Sequence, residues 1–215
     1  MGSVVTIPEQ RTLLQNVSWE AYELRLTNHR NTSSPRFTFD RGVLEIMSPS
    51  SEHEEYKNAL TLMVQMLADA LGMDIRSLGS TTFKRSDLKR GFEADACFYI
   101  QSAGRVESNI HIDPAVDPAP DLVIEIEISA PVLNKLPVYA DFRVPEIWRY
   151  DGKRLVILHL HGTEYTECSE SRAFPKASAA ELSRLVQRSI LLRSREWLRE
   201  LRNWAQRLSS DSTPS

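Results

Sequence analysis

The chain has 215 residues, 41% of them hydrophobic, and its 26 Lys and Arg against 29 Asp and Glu leave a formal net charge of -3. That length suits one domain with a substantial core, and the charge excludes a global basic footprint, so any nucleic-acid contact has to come from a local patch. No apolar run approaches the ~20 residues of a membrane span, no basic-then-apolar leader opens the chain, and two cysteines, Cys97 and Cys168, make neither a disulfide framework nor a zinc site, so the chain reads as reduced, soluble and cytoplasmic, with no membrane partner.

Residues 1–17 read as a loosely ordered lead. Ser18 is placed to cap a helix running through Trp19, Tyr22, Leu24 and Leu26. RFTFDRGVLEIM, residues 36–47, alternates as a β-hairpin turning at Asp40-Arg41-Gly42. Residues 48–72 form the clearest helix: Ser50 or Ser51 caps it, Glu52, Glu54 and Glu55 fill its first turn, and Leu60, Met63, Val64, Leu67 and Leu71 make one apolar stripe ended by Gly72. Short strands are expected near 73–77, 80–84 and 94–100. Between the last two, the KRSDLKR loop offers Lys84, Arg85, Lys89 and Arg90 as phosphate contacts, an ordinary solvated turn being the alternative. A loop over 103–119 leads into PDLVIEIEIS, residues 120–129. Pro131 then opens a helix through Leu136, Tyr139 and Phe142, and EIWRYDGKRLVILHL makes a second hairpin turning at Asp151-Gly152. Helices follow over 178–188 and within 191–208, the last with a basic face of Arg193, Arg195, Arg199, Arg202 and Arg207. The tail, 209–215, reads as disordered. This order describes one α/β (α+β) domain over 18–190, with a single mixed central β-sheet flanked by the 50–72 and 131–142 helices, and a C-terminal helical extension.

PDLVIEIEIS raises the chemical question. Leu122, Ile124, Ile126 and Ile128 share one strand face, and Asp121, Val123, Glu125 and Glu127 share the other. An unpaired carboxylate in a dry site costs several kcal/mol unless a cation or a pKa shift relieves it. Either this is an edge strand with its acidic face in water, or something positive meets those carboxylates. Asp95 opens another apolar strand, and if the two strands pair, Asp95 and Glu125 converge into the hard oxygen set that magnesium prefers. Each residue also has an ordinary explanation. Asp95 pairs with an arginine or caps its strand, Lys135 is solvated, the acids after Ser51 answer the helix dipole, and His53 is a polar residue of the first turn.

The combination carries a resemblance. A strand opened by Asp95, then PDLVIEIEIS, then Lys135 and Tyr139, then VPEIWRYD, with GVLEIMSPSSEH upstream, is similar to the Uma-two family of restriction endonucleases, within the PD-(D/E)XK nuclease superfamily. The likeness spans about residues 18 to 188. It implies a restriction-endonuclease-like core, DNA as substrate, a magnesium or manganese ion held by Asp95 and Glu125, and a homodimer where both strands are cut. Asp121 matches the Asp of the family's PD dipeptide. The usual lysine two residues after the glutamate is replaced by Glu127, either a third metal ligand or a mark of changed function, and Lys135 fits the lysine that some branches carry on the following helix. Glu45, His53 and Glu54 match polar positions facing the site. The alternative is a catalytically silent protein that kept the nuclease fold as a binding or regulatory module.

Overall fold

The computed structural model describes residues 9–29, 32 and 34–210. Where one mixed sheet was expected, there are two. Strands β1 (Gln10–Leu14), β2 (Arg36–Asp40), β3 (Val43–Ser48), β5 (Thr82–Arg85) and β6 (Arg90–Glu93) form a five-stranded antiparallel sheet in the order β1-β3-β2-β6-β5. Strands β4 (Arg76–Gly79), β7 (Ala96–Tyr99), β8 (Leu122–Ile126), β9 (Glu146–Tyr150), β10 (Leu155–His161) and β11 (Glu164–Cys168) form a mixed six-stranded sheet in the order β11-β10-β9-β8-β7-β4. In it only β8 and β9 run parallel, and a parallel pair needs a crossover, which residues 127–145 provide.

The division follows from β6. RGFE belongs to a stretch that reads as loop, yet Phe92 pairs with Thr38 and Phe83, so the first hairpin recruits β6 and β5 and not the acidic strand. The KRSDLKR segment is therefore a β5–β6 hairpin. The lead is also partly structured, because β1 zips onto β3 with Arg11 opposite Met47 and Leu13 opposite Glu45. Residues 1–8 of the lead and 211–215 of the tail lie outside the described residues.

Helix α1 (Trp19–Asn28) is capped by Ser18, whose side chain accepts from Ala21 N. Ser50, not Ser51, caps α2 (Ser51–Leu71), accepting from His53 N at 3.2 Å, and Gly72 ends it in the left-handed region at φ 64°. α3 (Ala103–Val106) is a single turn inside the expected loop. The helix expected from Pro131 is only α4 (Leu136–Asp141), because proline is tolerated in a helix's first turn and Pro137 fixes that turn. Lys135 thus stands at the helix start rather than inside it. α5 (Ala179–Leu191) and α6 (Ser194–Ser210) complete the chain. Among the described residues no helix is long and apolar enough to cross a membrane.

One face of the six-stranded sheet, through Leu122, Ile124, Ile126 and Trp148, packs on α2, α5 and α6 with Leu60, Val64, Leu185 and Trp204. The other face, through Val123, Ile147 and Leu158, meets Val138, Tyr139 and Phe142 and the five-stranded sheet's Phe83 and Phe92. Period two then turns Glu125 toward the space between the two sheets, with Val123.

Candidate active site

Each sheet sends charge into that space. On β1–β3, Arg11 and Arg36 both sit opposite Met47, so each is a diagonal neighbour of Glu45 on the same face. On the six-stranded sheet, the register that sets Ala96 against Ile124 brings Asp95, one residue further out, beside Glu125. The helices close the ends, α2 with His53 and α4 with Lys135 and Tyr139. All are nearly dry: His53 is 0% exposed, Glu45 1%, Asp95 2%, Glu125 3% and Lys135 5%.

Oδ2 of Asp95 accepts from Ile126 N at 2.6 Å, tying the aspartate to the acidic strand. Its Oδ1 lies 2.8 Å from His53 Nε2 and in an ion pair with Arg36 Nη1. Glu125 Oε2 accepts from Lys135 Nζ at 2.9 Å, and its Oε1 accepts from Tyr139 OH. The Lys135 ammonium also stands 3.3 Å from Glu45 Oε1, which accepts from Arg11 Nη1 at 3.1 Å. Arg11 Nε donates to Glu9 Oε1 at 2.7 Å, and the other oxygen of Glu9 is 2.5 Å from His53 Nδ1. Four carboxylates, Glu9, Glu45, Asp95 and Glu125, thus interleave with Arg11, Arg36, Lys135 and the His53 ring. That is why an otherwise apolar strand accepts Glu125: breaking such a buried pair would cost ~3–5 kcal/mol.

These contacts set the protonation states. Burial alone would lower the pKa of Lys135, but Glu125 and Glu45 outweigh it and raise it, so the side chain stays an ammonium. Burial and then Glu125 push the Tyr139 hydroxyl well above its ordinary value, keeping it a donor. For Glu9, burial works upward, yet hydrogen bonds from His53 and Ser129 and the Arg11 charge hold it at about 2. Burial, then repulsion from Glu125, raises Glu127.

Not every expected residue is gathered here. Glu127 Oε2 faces Arg149 Nε at 3.7 Å. Its carboxylate, that of Asp95 and that of Glu125 are not mutually within 4.8 Å, so Glu127 does not form a three-carboxylate set with them. Asp121 lies at the opposite end of β7 from Asp95. There its Oδ2 accepts from Ile100 N at 2.7 Å, Ser102 N at 2.9 Å and Ser102 Oγ at 2.7 Å, so the PD aspartate locks a turn and does not face the site. Glu54 sits at the rim, its Oε1 2.6 Å from Arg36 Nη2, and it also pairs with Lys57. Of the basic hairpin, Arg90 is buried between Asp40, at 2.7 Å, and Asp141, at 2.6 Å, and is no phosphate contact. Lys84 and Arg85 form exposed pairs with Glu23 and Asp87, and Lys89 lies 5.4 Å over the Trp19 ring.

Sequence reasoning missed Glu9, Arg11 and Arg36 and did not give Tyr139 a role. Arg36 carried a signal, a charge on the Thr38 face of an alternating strand. For Glu9 and Arg11 the only hint was the same two-residue spacing in EQRTLL, which needs the β1–β3 pairing to mean anything.

Carboxylate oxygens are the donor type that a hard divalent cation prefers, although among the described residues this cluster does not bring three ligand atoms within 4.8 Å of one another. Oε2 of Glu45 is buried with no hydrogen-bond partner, an acceptor left open beside the Lys135–Glu125 pair.

The family model described as "Uma2: Putative restriction endonuclease" matches residues 19–206. Among solved structures, the chain is similar to one described as "a putative nuclease belonging to DUF820" from Anabaena variabilis, at 15% identity and TM-score 0.49, covering 79% of this chain and 99% of that one. Comparison with curated proteins gives no match.

Proposed function

The chain belongs to the Uma2 family, described as "Putative restriction endonuclease", and from that membership we propose that it is a divalent-metal-dependent endonuclease that hydrolyses DNA phosphodiester bonds at the Asp95–Glu125–Lys135 cluster. One observation carries the assignment. Two dry carboxylates stand on neighbouring strands, and an ammonium 2.9 Å from one of them arrives from the start of α4, where the usual neighbouring position holds Glu127.

Asp95 and Glu125 would hold magnesium or manganese, which would supply Lewis-acid polarisation of the scissile phosphate. Lys135 places a fixed positive charge beside Glu125, preorganised for the negative charge that develops on the phosphate. Tyr139 pins the second oxygen of Glu125, and His53 and Arg36 hold Asp95, which fixes the position of both carboxylates. DNA is held through its phosphates, with Lys84, Arg85 and Lys89 as the contacts left by the structure. The exposed pairs of Lys84 and Arg85 are worth ~1 kcal/mol or less and yield easily to a phosphate. Cleavage of both strands takes two such sites, which a homodimer would supply.

A silent binding module is favoured by one feature: both oxygens of Asp95 and both of Glu125 already have protein partners. Plasmid cleavage with magnesium, then manganese, separates the readings. Asp95→Ala and Glu125→Ala should abolish nicking and linearisation. Lys135→Arg, which keeps the charge but moves it, should lower the rate ~10²-fold or more, the usual cost of one preorganised stabiliser. Activity surviving Glu125→Ala would mean the site is wrong. A wild type that neither cuts nor binds either ion by calorimetry would leave the silent module.

A further inference from the structure

A second cluster of ligand atoms lies at the far edge of the six-stranded sheet. His159 and His161, two apart on β10, point to one face. Cys168 on β11 pairs with Ile157, and Thr166 pairs with His159, so the cysteine is a diagonal neighbour of His159 on that same face. One ligand atom from each of the three lies within 4.8 Å of the other two. With zinc–nitrogen bonds of about 2.0–2.1 Å and a zinc–sulfur bond of about 2.3 Å, tetrahedral ligand atoms stand roughly 3.3–3.6 Å apart, so closing on an ion takes a movement of about 1 Å.

The support behind the cluster is also that of a metal site. Glu146, opposite His159 across β9–β10, is held by four donors: Trp148 Nε1 and Ser171 Oγ on Oε1, both at 2.6 Å, and Arg172 N at 2.6 Å and Ala173 N at 3.0 Å on Oε2. Its Oε2 stands 3.3 Å from His159 Nε2 without hydrogen-bond geometry, leaving that buried nitrogen with no hydrogen-bond partner. A carboxylate that accepts the other ring N–H is the device that orients metal-ligating histidines, and Glu146 stands within reach of that role. The donor chemistry differs from that of the nuclease cluster. Two imidazoles and a thiol select a borderline-soft ion such as zinc, whereas the carboxylates select magnesium or manganese.

We propose that His159, His161 and Cys168 form a zinc site, with its fourth position open to water or another ligand, that clips the edge strand β11 onto β10. Binding displaces the Cys168 thiol proton, since the thiolate is the ligand. Cysteine spacing alone did not reveal the site, because its other donors are histidines on the partner strand and only the β10–β11 register brings them together.

Cobalt(II) and zinc serve as probes on the full chain, with magnesium in excess to occupy the carboxylate cluster. Cobalt should give a thiolate charge-transfer band at one equivalent, displaced by zinc. Cys97 cannot supply that band, being fully buried with its thiol pushed up to about 12 by burial. Zinc should slow modification of Cys168 by a disulfide reagent about tenfold or more, by removing the free thiolate, and should raise the melting temperature. His161→Ala, at an exposed position, and Cys168→Ser should each abolish these effects while leaving magnesium-dependent cleavage unchanged. Absence of the band, or thiol reactivity indifferent to zinc, would overturn the site.

Discussion

Glu9 shows how much of this molecule rests on single charged residues. Its carboxyl is held at about 2 in the folded chain against an ordinary 4.5. A depressed carboxyl contributes stability that is fully present above its unfolded value and is lost as pH falls toward its folded one. The wild type should therefore exceed Glu9→Gln in unfolding free energy at neutral pH. That gap should close as pH drops from 4.5 to about 2, measured by urea denaturation across the range; a gap that does not change with pH would refute it. Arg11 gives a sharper case. Arg11→Met leaves Glu9 and Glu45 without their guanidinium, and the loss should approach the ~3–5 kcal/mol of a broken buried pair. The carboxylates Asp95 and Glu125 were legible in the sequence because a charge inside an apolar strand demands an explanation. Lys135, the cation of Glu125, was picked out with them, but Arg11 and Arg36 were not, because an arginine in an unremarkable stretch demands no explanation. Only the sheet pairing shows which arginine answers which acid. Asp121 is the opposite case: the dipeptide is recognisable, but its hydrogen bonds go to Ile100 and Ser102 at the far end of β7.

Elements were legible where caps and periodicity agreed. Ser18, Ser50 and Gly72 bound their helices as expected, and Ser50→Ala should cost ~1 kcal/mol as an N-cap loss. β6 was not legible, because Arg90-Gly91-Phe92-Glu93 is short, starts with a charge and contains a glycine. The glycine has a reason that only packing shows. A Cβ at Gly91 would lie 2.3 Å from the Tyr22 hydroxyl, so α1 can dock on the five-stranded sheet only over a bare backbone. That hydroxyl is buried without a hydrogen-bond partner, over a ring stacked 4.9 Å from Phe39. Gly91→Ala should destabilise by ~1–3 kcal/mol through overpacking. Tyr22→Phe alone should be near neutral, since it removes an unsatisfied polar atom. Together the two should cost less than the sum of the single changes, the signature of a direct contact. Additive costs by thermal denaturation would place the strain elsewhere.

For the molecule as a whole, the question is whether α6 is an appendage or part of the core. Its arginines, Arg195, Arg199, Arg202 and Arg207, and Arg193 just before it, are all exposed, so the basic face is solvated as the sequence suggested. Its other face is not peripheral. Trp197, Leu201, Trp204, Ala205 and Leu208 join the cluster that α2 and the six-stranded sheet build, and Trp197 Nε1 donates to Leu185 O at 2.9 Å to fasten α6 to α5. Burying a large apolar side chain contributes ~1.5–3 kcal/mol, so the four large ones here contribute ~6–12 kcal/mol. A domain's entire stability is usually ~5–15 kcal/mol. The apolar spacing of α6 was readable in advance, but whether it covered anything was not, because no periodicity says which surface waits for it. A chain ending at Leu192 should therefore lose its cooperative unfolding transition rather than merely shift it. Leu201→Ala in the full chain should cost ~2–5 kcal/mol and keep the transition cooperative. If the shortened chain still melts sharply near the wild-type temperature, α6 is a dispensable cover, and the two-sheet core closes without it.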